Sequence, residues 1–177
     1  MDGYINGTDN PNELREDAAC RVYQLHPLRQ PHEIRLLEIH PSGDFDAPLH
    51  LQLSIHSLDD MEVCYQTLSY AWESQKKTRT LTCDGERMLI TENLFSALKR
   101  IRQGISSVAP MDYLWADAIC IDQGNETEKG QQVAMMSVIY AHSRRLLIWL
   151  GEASEAEVEV TRAAIRLSLI HISDGAR

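Results

Sequence analysis

Two carboxylates in the second half of the chain are the residues best placed to do chemistry. Asp117 interrupts the nearly continuous apolar run 113–121, and a charge in such a run must be hydrogen-bonded or serve a site at the strand end. Glu128 follows the polar turn 122–125, where a carboxylate stabilises the start of a helix. Structural and catalytic roles stay open for both residues.

Three further residues are candidates for contacting a ligand. Tyr70 ends an apolar segment, Asn93 lies in the first turn of a predicted helix, and Gln123 lies in the polar turn after the run 113–121. Tyr70 and Asn93 either satisfy backbone groups or face a cleft. Ligands of open α/β sheets bind beyond the carboxyl ends of the strands, which is where the turn with Gln123 is expected.

Other kinds of site are not supported. The four cysteines never form a C-x-x-C pair, and no histidine has the helical spacing beside a glutamate that zinc hydrolases need, so no metal is assigned. Cys120 has no activating histidine, and the nine glycines form no nucleotide-binding motif. Trp72, Trp115 and Trp149 are predicted to lie in the core, as large aromatics beside apolar strands usually do.

The elements in the first half of the chain are predicted to form antiparallel pairs. Residues 34–39 and 49–55 have the composition and alternation of two strands. Asp84-Gly85 between two further apolar segments is a strong hairpin signal. Thr91 is expected to cap the helix that follows, and Gly104 to end it.

The second half is predicted to be a βαβ unit over residues 113–150. Its first strand is the run 113–121, its helix spans roughly 126–142, and its second strand is the buried run 146–150. The helix is expected to bury one apolar stripe, which consists of Val133, Met136 and Tyr140. The two strands should be parallel and neighbouring or near-neighbouring in one sheet. The expected fold class is therefore α/β, with a mixed sheet.

Length and charge limit the organisation and the partners. The chain of 177 residues with a formal charge of −9 is long enough for one domain and offers no electrostatic basis for binding nucleic acid. Residues 1–22 are predicted to be a mobile lead-in without the features of a secretory signal, and residues 23–166 a single domain. No segment is long and apolar enough to span a membrane. A cytoplasmic protein with reduced thiols is expected.

Three sequence blocks resemble the fungal heterokaryon incompatibility (HET) domain. They are Tyr65-Gln66-Thr67-Leu68-Ser69-Tyr70-Ala71-Trp72, Ile90-Thr91-Glu92-Asn93-Leu94 with Ala97-Leu98, and Leu114-Trp115-Ala116-Asp117-Ala118-Ile119-Cys120-Ile121-Asp122-Gln123. The third block continues through Glu128 and Gln132-Val133 to Trp149-Leu150-Gly151, so the resemblance covers roughly residues 23–151. The chain departs from the family pattern at Glu73, Asp122, Lys129 and Ser143, where glycine, asparagine, arginine and alanine are usual.

The resemblance implies a cytoplasmic fungal protein of self/non-self recognition, whose domain triggers incompatibility-type cell death. Partners would be other death-signalling proteins or further copies of the domain. A more distant similarity to TIR domains, with a TIR- or flavodoxin-like sheet, implies a possible NAD glycohydrolase as the alternative. In that case NAD would be the substrate, and Glu128, backed by Asp117, would stabilise the ribosyl centre as carboxylates do in glycoside hydrolysis. Tyr70, Asn93 and Gln123 would contact NAD.

The end of the chain carries two further expectations. Ser154 and Glu157 form a capping box for a last helix, but little chain follows for this helix to pack on. The domain is therefore expected to be cut short. Residues 167–177 begin with a segment that resembles a translated sequencing adapter, which would make this tail non-native.

Overall fold

The computed structural model describes residues 21–72, 76–104 and 113–152. The predictions for residues 1–20, for Glu73, and for the capping box and tail after residue 152 lie outside these ranges. The described residues form an α/β structure around one mixed sheet of seven strands, in the order β5-β4-β2-β1-β6-β3-β7. The predicted fold class is confirmed.

Seven strands and three helices follow a helical segment at residues 21–25. The strands are β1 Glu33–Ile39, β2 His50–Ser57, β3 Tyr65–Tyr70, β4 Lys77–Cys83, β5 Glu86–Thr91, β6 Tyr113–Trp115 and β7 Arg145–Trp149. The helices are α1 Glu92–Gln103, α2 Asp117–Cys120, which is a single turn, and α3 Glu126–His142. No helix within the described ranges has both the length and the apolarity needed to cross a membrane.

The two antiparallel pairs predicted in the first half are confirmed, and β2 and β4 join them by pairing in parallel. β1 pairs with β2 over its whole length, from Glu33 opposite Ser57 to Ile39 opposite Leu51. β4 and β5 form a hairpin around Asp84 and Gly85, whose φ angles of 50° and 83° are both positive. Glycine adopts such an angle without strain and aspartate tolerates it better than most residues, so these two residues fit the tight turn.

Helix α1 begins and ends at the predicted residues. The hydroxyl of Thr91 accepts a hydrogen bond from the backbone N–H of Leu94, and Gly104 follows the last turn. The helix buries Leu94, Ala97 and Leu98 against the sheet. Its position fixes Asn93 directly beyond the end of β5.

The predicted βαβ unit is confirmed in its connectivity. β6 and β7 both pair in parallel with β3, which lies between them, and α3 is the crossover helix. The two strands are thus parallel near-neighbours. The prediction of one continuous strand over 113–121 is wrong, because β6 ends at Trp115 and Asp117–Cys120 form a helical turn. Ile119 and Cys120 are still fully buried, and an apolar run alone does not separate a buried strand from a buried helix.

The predicted burial of the second strand and of the helix stripe is wrong in part. β7 is the last strand of the sheet, and the side chains of Leu146 and Ile148 are 48% and 65% exposed. On α3 the buried residues are Gln132 and Ile139, whereas Val133 is exposed. Met136 and Tyr140, the other two residues of the predicted stripe, are partly buried against the core. The helix contacts β1 through Gln132 and β6 through Tyr140.

Candidate functional site

The carboxyl ends of three parallel strands meet at one edge of the sheet. Gln66 and Thr67 of β3 pair with Leu114 and Trp115 of β6, and β3 pairs on its other side with β7. The residues that follow these strands therefore come together, as expected for the ligand-binding edge of an α/β sheet. They include Asp117 after β6, Trp72 after β3 and Trp149 at the end of β7.

Asp117 is the most buried carboxylate at this edge. It accepts a hydrogen bond of 2.7 Å from the backbone N–H of Ala118 and further hydrogen bonds from the side chains of Tyr70 and Trp72. Burial raises the pKa of the Asp117 carboxyl above its usual value, and the three hydrogen bonds oppose this shift. Asp117 is thus held at the edge of the sheet by polar contacts, and it adds no apolar surface to the hydrophobic core.

A pocket of about 250 Å³ lies in front of this carboxylate. The rings of Tyr70 and Trp72 are stacked at its edge, with centroids 6.2 Å apart and an interplanar angle of 18°. Two cations, Lys77 and Lys129, also line it. The rest of the lining is Leu89, Ile90, Thr91, Ala118 and Gln123. An aromatic surface beside two ammonium groups suits a planar ligand that carries negative charge.

The pocket exists because the sheet is strongly curled. Tyr70 belongs to the sixth strand in the sheet order and Ile90 to the first, yet both line the same pocket. Asn93 joins the two ends: its amide nitrogen donates to the carbonyl oxygen of Ala71, and its amide oxygen accepts from the indole N–H of Trp149, both at 2.7 Å. The amide of Asn93 thus fixes the wall of the pocket without lining it.

The five predicted site residues do not all fall in one place. Tyr70 and Gln123 line the pocket, and the amide of Gln123 donates to the backbone carbonyl of Asp117 at 3.0 Å. Asp117 lies behind the pocket wall and Asn93 beside it. None of Asp117, Asn93 and Glu128 is a lining residue, but Asp117 and Asn93 hydrogen-bond to residues at the pocket, whereas the carboxylate of Glu128 is bound to Arg35.

Glu128 is held by a buried arginine. Arg35 donates two hydrogen bonds to its carboxylate, at 2.5 and 2.9 Å, and the backbone N–H of Asp122 donates a third at 2.8 Å. Burial alone would raise the pKa of Glu128, but the hydrogen bonds from Arg35 and Asp122 outweigh it and lower the pKa. The helix cap predicted as its structural role belongs to Asn125, whose side chain accepts from the N–H of Glu128.

The sequence reasoning missed several residues at these places. Arg35 interrupts an apolar strand, and the need of a buried guanidinium for an acidic partner was a signal that could have found the contact with Glu128. Trp72 was predicted to be in the core but is 46% exposed at the pocket. Trp115 is fully buried, as predicted, and Trp149 is half-buried. No local signal places Lys77 at the pocket, since it comes from β4.

Two of the three cysteine thiols in the described ranges are enclosed. Cys120 is fully buried, and burial raises its pKa to about 12. Cys83 is also buried and its pKa is raised by the same cause, whereas Cys64 is exposed. A neutral, enclosed thiol is unreactive, so neither Cys83 nor Cys120 has the features of a nucleophile.

Comparison with known proteins decides the family. The family model described as heterokaryon incompatibility protein (HET) matches residues 65–173, which is more than half of the chain. The chain belongs to the HET family. It is also 29% identical, over 130 residues, to heterokaryon incompatibility protein 6, OR allele, of Neurospora crassa. The match covers 68% of this chain and 19% of that protein, so the chain spans about a fifth of the length of this relative. No solved structure matches.

Family and relative together support a role in heterokaryon incompatibility. Three of the four positions at which this HET domain departs from the expected pattern have defined contacts. Ser143 hydrogen-bonds to Thr67 at 3.1 Å, and a carboxylate oxygen of Asp122 accepts from the N–H of Gly124 at 3.0 Å. Lys129 lines the pocket. These substitutions are therefore accommodated by the fold.

Proposed function

We propose that this HET domain is the part of an incompatibility protein that triggers cell death, and that it acts by assembly with further copies. Membership of the family supports the biological role. The edge of β7 that no described strand covers supports assembly, because the apolar side chains of Leu146, Ile148 and Leu150 are exposed there. A sheet edge of this kind is a template for pairing with another chain.

The proposal is tested by inducing the association of the chain with an added small molecule. The full chain is fused to a module that dimerises on addition of a small molecule and is expressed in fungal cells. Death after addition of the small molecule, and survival without it at equal protein levels, is the expected result. A fusion of the module alone is the control. Survival of cells in which the clustered chain accumulates would contradict the proposal.

A second candidate function is hydrolysis of NAD, with release of nicotinamide. The pocket at the carboxyl ends of β3 and β6 favours it, since an aromatic pair and two lysines suit a planar ring with phosphates. The carboxylate would stabilise the developing positive charge at the ribose carbon. Both oxygens of Glu128 are engaged by Arg35. Asp117 does not line the pocket, but it hydrogen-bonds to the lining side chains of Tyr70 and Trp72, so it is the better candidate of the two for this role.

Purified chain incubated with NAD, followed by measurement of free nicotinamide, tests this second function. The measurement is made on the free chain and on the clustered fusion. Turnover that is lost in Asp117→Asn and retained in Cys120→Ser is the expected pattern. Release of nicotinamide at the buffer rate in both samples would reject the enzyme and leave the assembly proposal standing.

A further inference from the structure

Strand β7 combines an open edge with an exposed apolar row. Its one partner among the described strands is β3, because β7 ends the sheet order. Leu146, Ile148 and Leu150 alternate along the chain and are 48%, 65% and 91% exposed. Natural edge strands are usually blunted by proline, by charged side chains or by a bulge. After Arg145 at its start, residues 146–150 contain neither proline nor a charged residue, and the pairing of β7 with β3 is regular.

The exposed row is complementary to itself when the strand is reversed. Residues directly opposite each other in an antiparallel pair point to the same face. Pairing centred on Ile148 places this residue opposite its own copy, and places Leu146 opposite Leu150 at both ends. All three cross-strand pairs on the exposed face are then aliphatic. In the same register Leu147 of one copy lies opposite Trp149 of the other, so these half-buried side chains stay on the other face.

The charge at the start of β7 selects the same direction. The strand begins with Arg145, and the uncharged Gly151 follows its other end. Centred antiparallel pairing brings Arg145 of each copy opposite Gly151 of the other. Parallel pairing in register would instead bring the arginines of both copies side by side, and like charges in that position destabilise a strand pair.

We propose that two copies of this chain pair through β7 in antiparallel direction, with the two-fold axis at Ile148, and so join their sheets. The proposal rests on the assembly part of the proposed function and names the surface through which two copies associate. The apolar rows of the two copies then pack against each other between the two α3 helices. An isologous contact of this kind is closed, so it produces a dimer rather than a fibre.

Cysteine cross-linking tests the register. In the full chain, with Cys20→Ser and Cys64→Ser as background, Ile148→Cys should form a dimer on mild oxidation, because the two introduced thiols face each other. Leu146→Cys is the matched control on the same face of the same strand, at a position that is also exposed, though less than Ile148. Its two copies would be separated by four residues along the strand, about 13 Å, so it should stay monomeric. A mixture of the Leu146→Cys and Leu150→Cys variants should form the cross-linked pair again.

Two further results separate this interface from the proposed function. Ile148→Lys should shift the chain to monomer in sedimentation, whereas Val138→Lys, an exposed apolar position on α3, should not. Equal cross-linking of the 146 and 148 variants, or none in either with a monomeric parent chain, would overturn the interface. If the 148 variant cross-links but Ile148→Lys still kills cells, the interface stands and the proposal that assembly triggers death fails.

Discussion

Arg35 and Glu128 lie 93 positions apart in the chain and form a bidentate ion pair near the start of β1. The side chain of Arg35 is 1% exposed and that of Glu128 13%. Arg35 also donates to the carbonyl oxygens of His26 and Cys120, at 2.7 and 3.1 Å. This one guanidinium therefore ties the segment before β1, the turn α2 and the start of α3 together. Its removal leaves a carboxylate without its counter-charge.

Breaking this pair from one side should destabilise the domain strongly. We expect Arg35→Met to lower the free energy of unfolding by about 3–5 kcal/mol, the usual cost of leaving a buried charge unpaired. The double variant Arg35→Met with Glu128→Gln should recover part of this loss, because no charge is then stranded. Urea denaturation followed by circular dichroism measures both.

The control for this prediction is an exposed pair of the same chemistry. Arg100 contacts Glu152 at 2.7 Å with both side chains about half exposed, so Arg100→Met should change the stability far less than Arg35→Met does. Equal losses for the Arg35 and Arg100 variants would mean that the Arg35 pair is not buried in solution.

The pH dependence of stability should reflect the lowered pKa of Glu128. A carboxyl whose pKa is lower in the folded than in the unfolded chain stabilises the fold above its unfolded pKa. That contribution is lost as the pH falls through the folded value. The advantage of the parent chain over Glu128→Gln should thus be full at pH 7 and shrink below the ordinary glutamate pKa of 4.5. An advantage that stays constant down to pH 3 would argue against the ion pair.

The elements that sequence patterns predicted well depend on local interactions. The hairpin at Asp84-Gly85, the cap at Thr91 and the crossover helix α3 each form from neighbouring residues. The predictions that were wrong concern burial, which depends on the other elements that pack over a strand or a helix. The exposure of Ile148 depends on where α3 lies, and the exposure of Trp72 depends on a pocket wall that comes from β4 and β5. Hydropathy along the chain carries no information on either.

The same distinction explains the candidate site. Tyr70 was predicted from a strand end, Gln123 from the turn after a strand, and Asp117 from a charge in an apolar run; the parallel pairing of β3 with β6 brings them together. Glu128 was predicted from its place at the start of a helix, but its environment is decided by Arg35 of β1. A polar residue in such a place can thus be identified from sequence, whereas which partner it meets depends on the register of distant strands.

The burial of Trp115 leads to a prediction about packing. Its side chain is fully buried and its ring contacts that of Tyr140 edge to face at 5.7 Å. Trp115→Ala should cost about 3–5 kcal/mol because it leaves a cavity. Its indole N–H has no acceptor within the described ranges, so Trp115→Phe, which removes that donor, should cost much less. Thermal unfolding of the three proteins decides this, and equal losses for both variants would show that the indole N–H is bonded after all.

The last prediction concerns Asp117, because the fold tolerates this carboxylate at a cost. Its pKa is raised chiefly by burial, against the hydrogen bonds from Ala118, Tyr70 and Trp72. A carboxyl with a raised folded pKa destabilises the fold at neutral pH, and the penalty disappears as the pH falls through that pKa. Asp117→Asn keeps an acceptor oxygen for part of these contacts and removes the charge. We therefore expect this variant to melt at or above the temperature of the parent chain at pH 7, with a difference that shrinks towards pH 3. Nicotinamide release and cell death, measured on the same variant, then show whether the retained charge serves function. A variant that is clearly less stable than the parent at pH 7 would instead make Asp117 a structural residue, held in place for Tyr70 and Trp72.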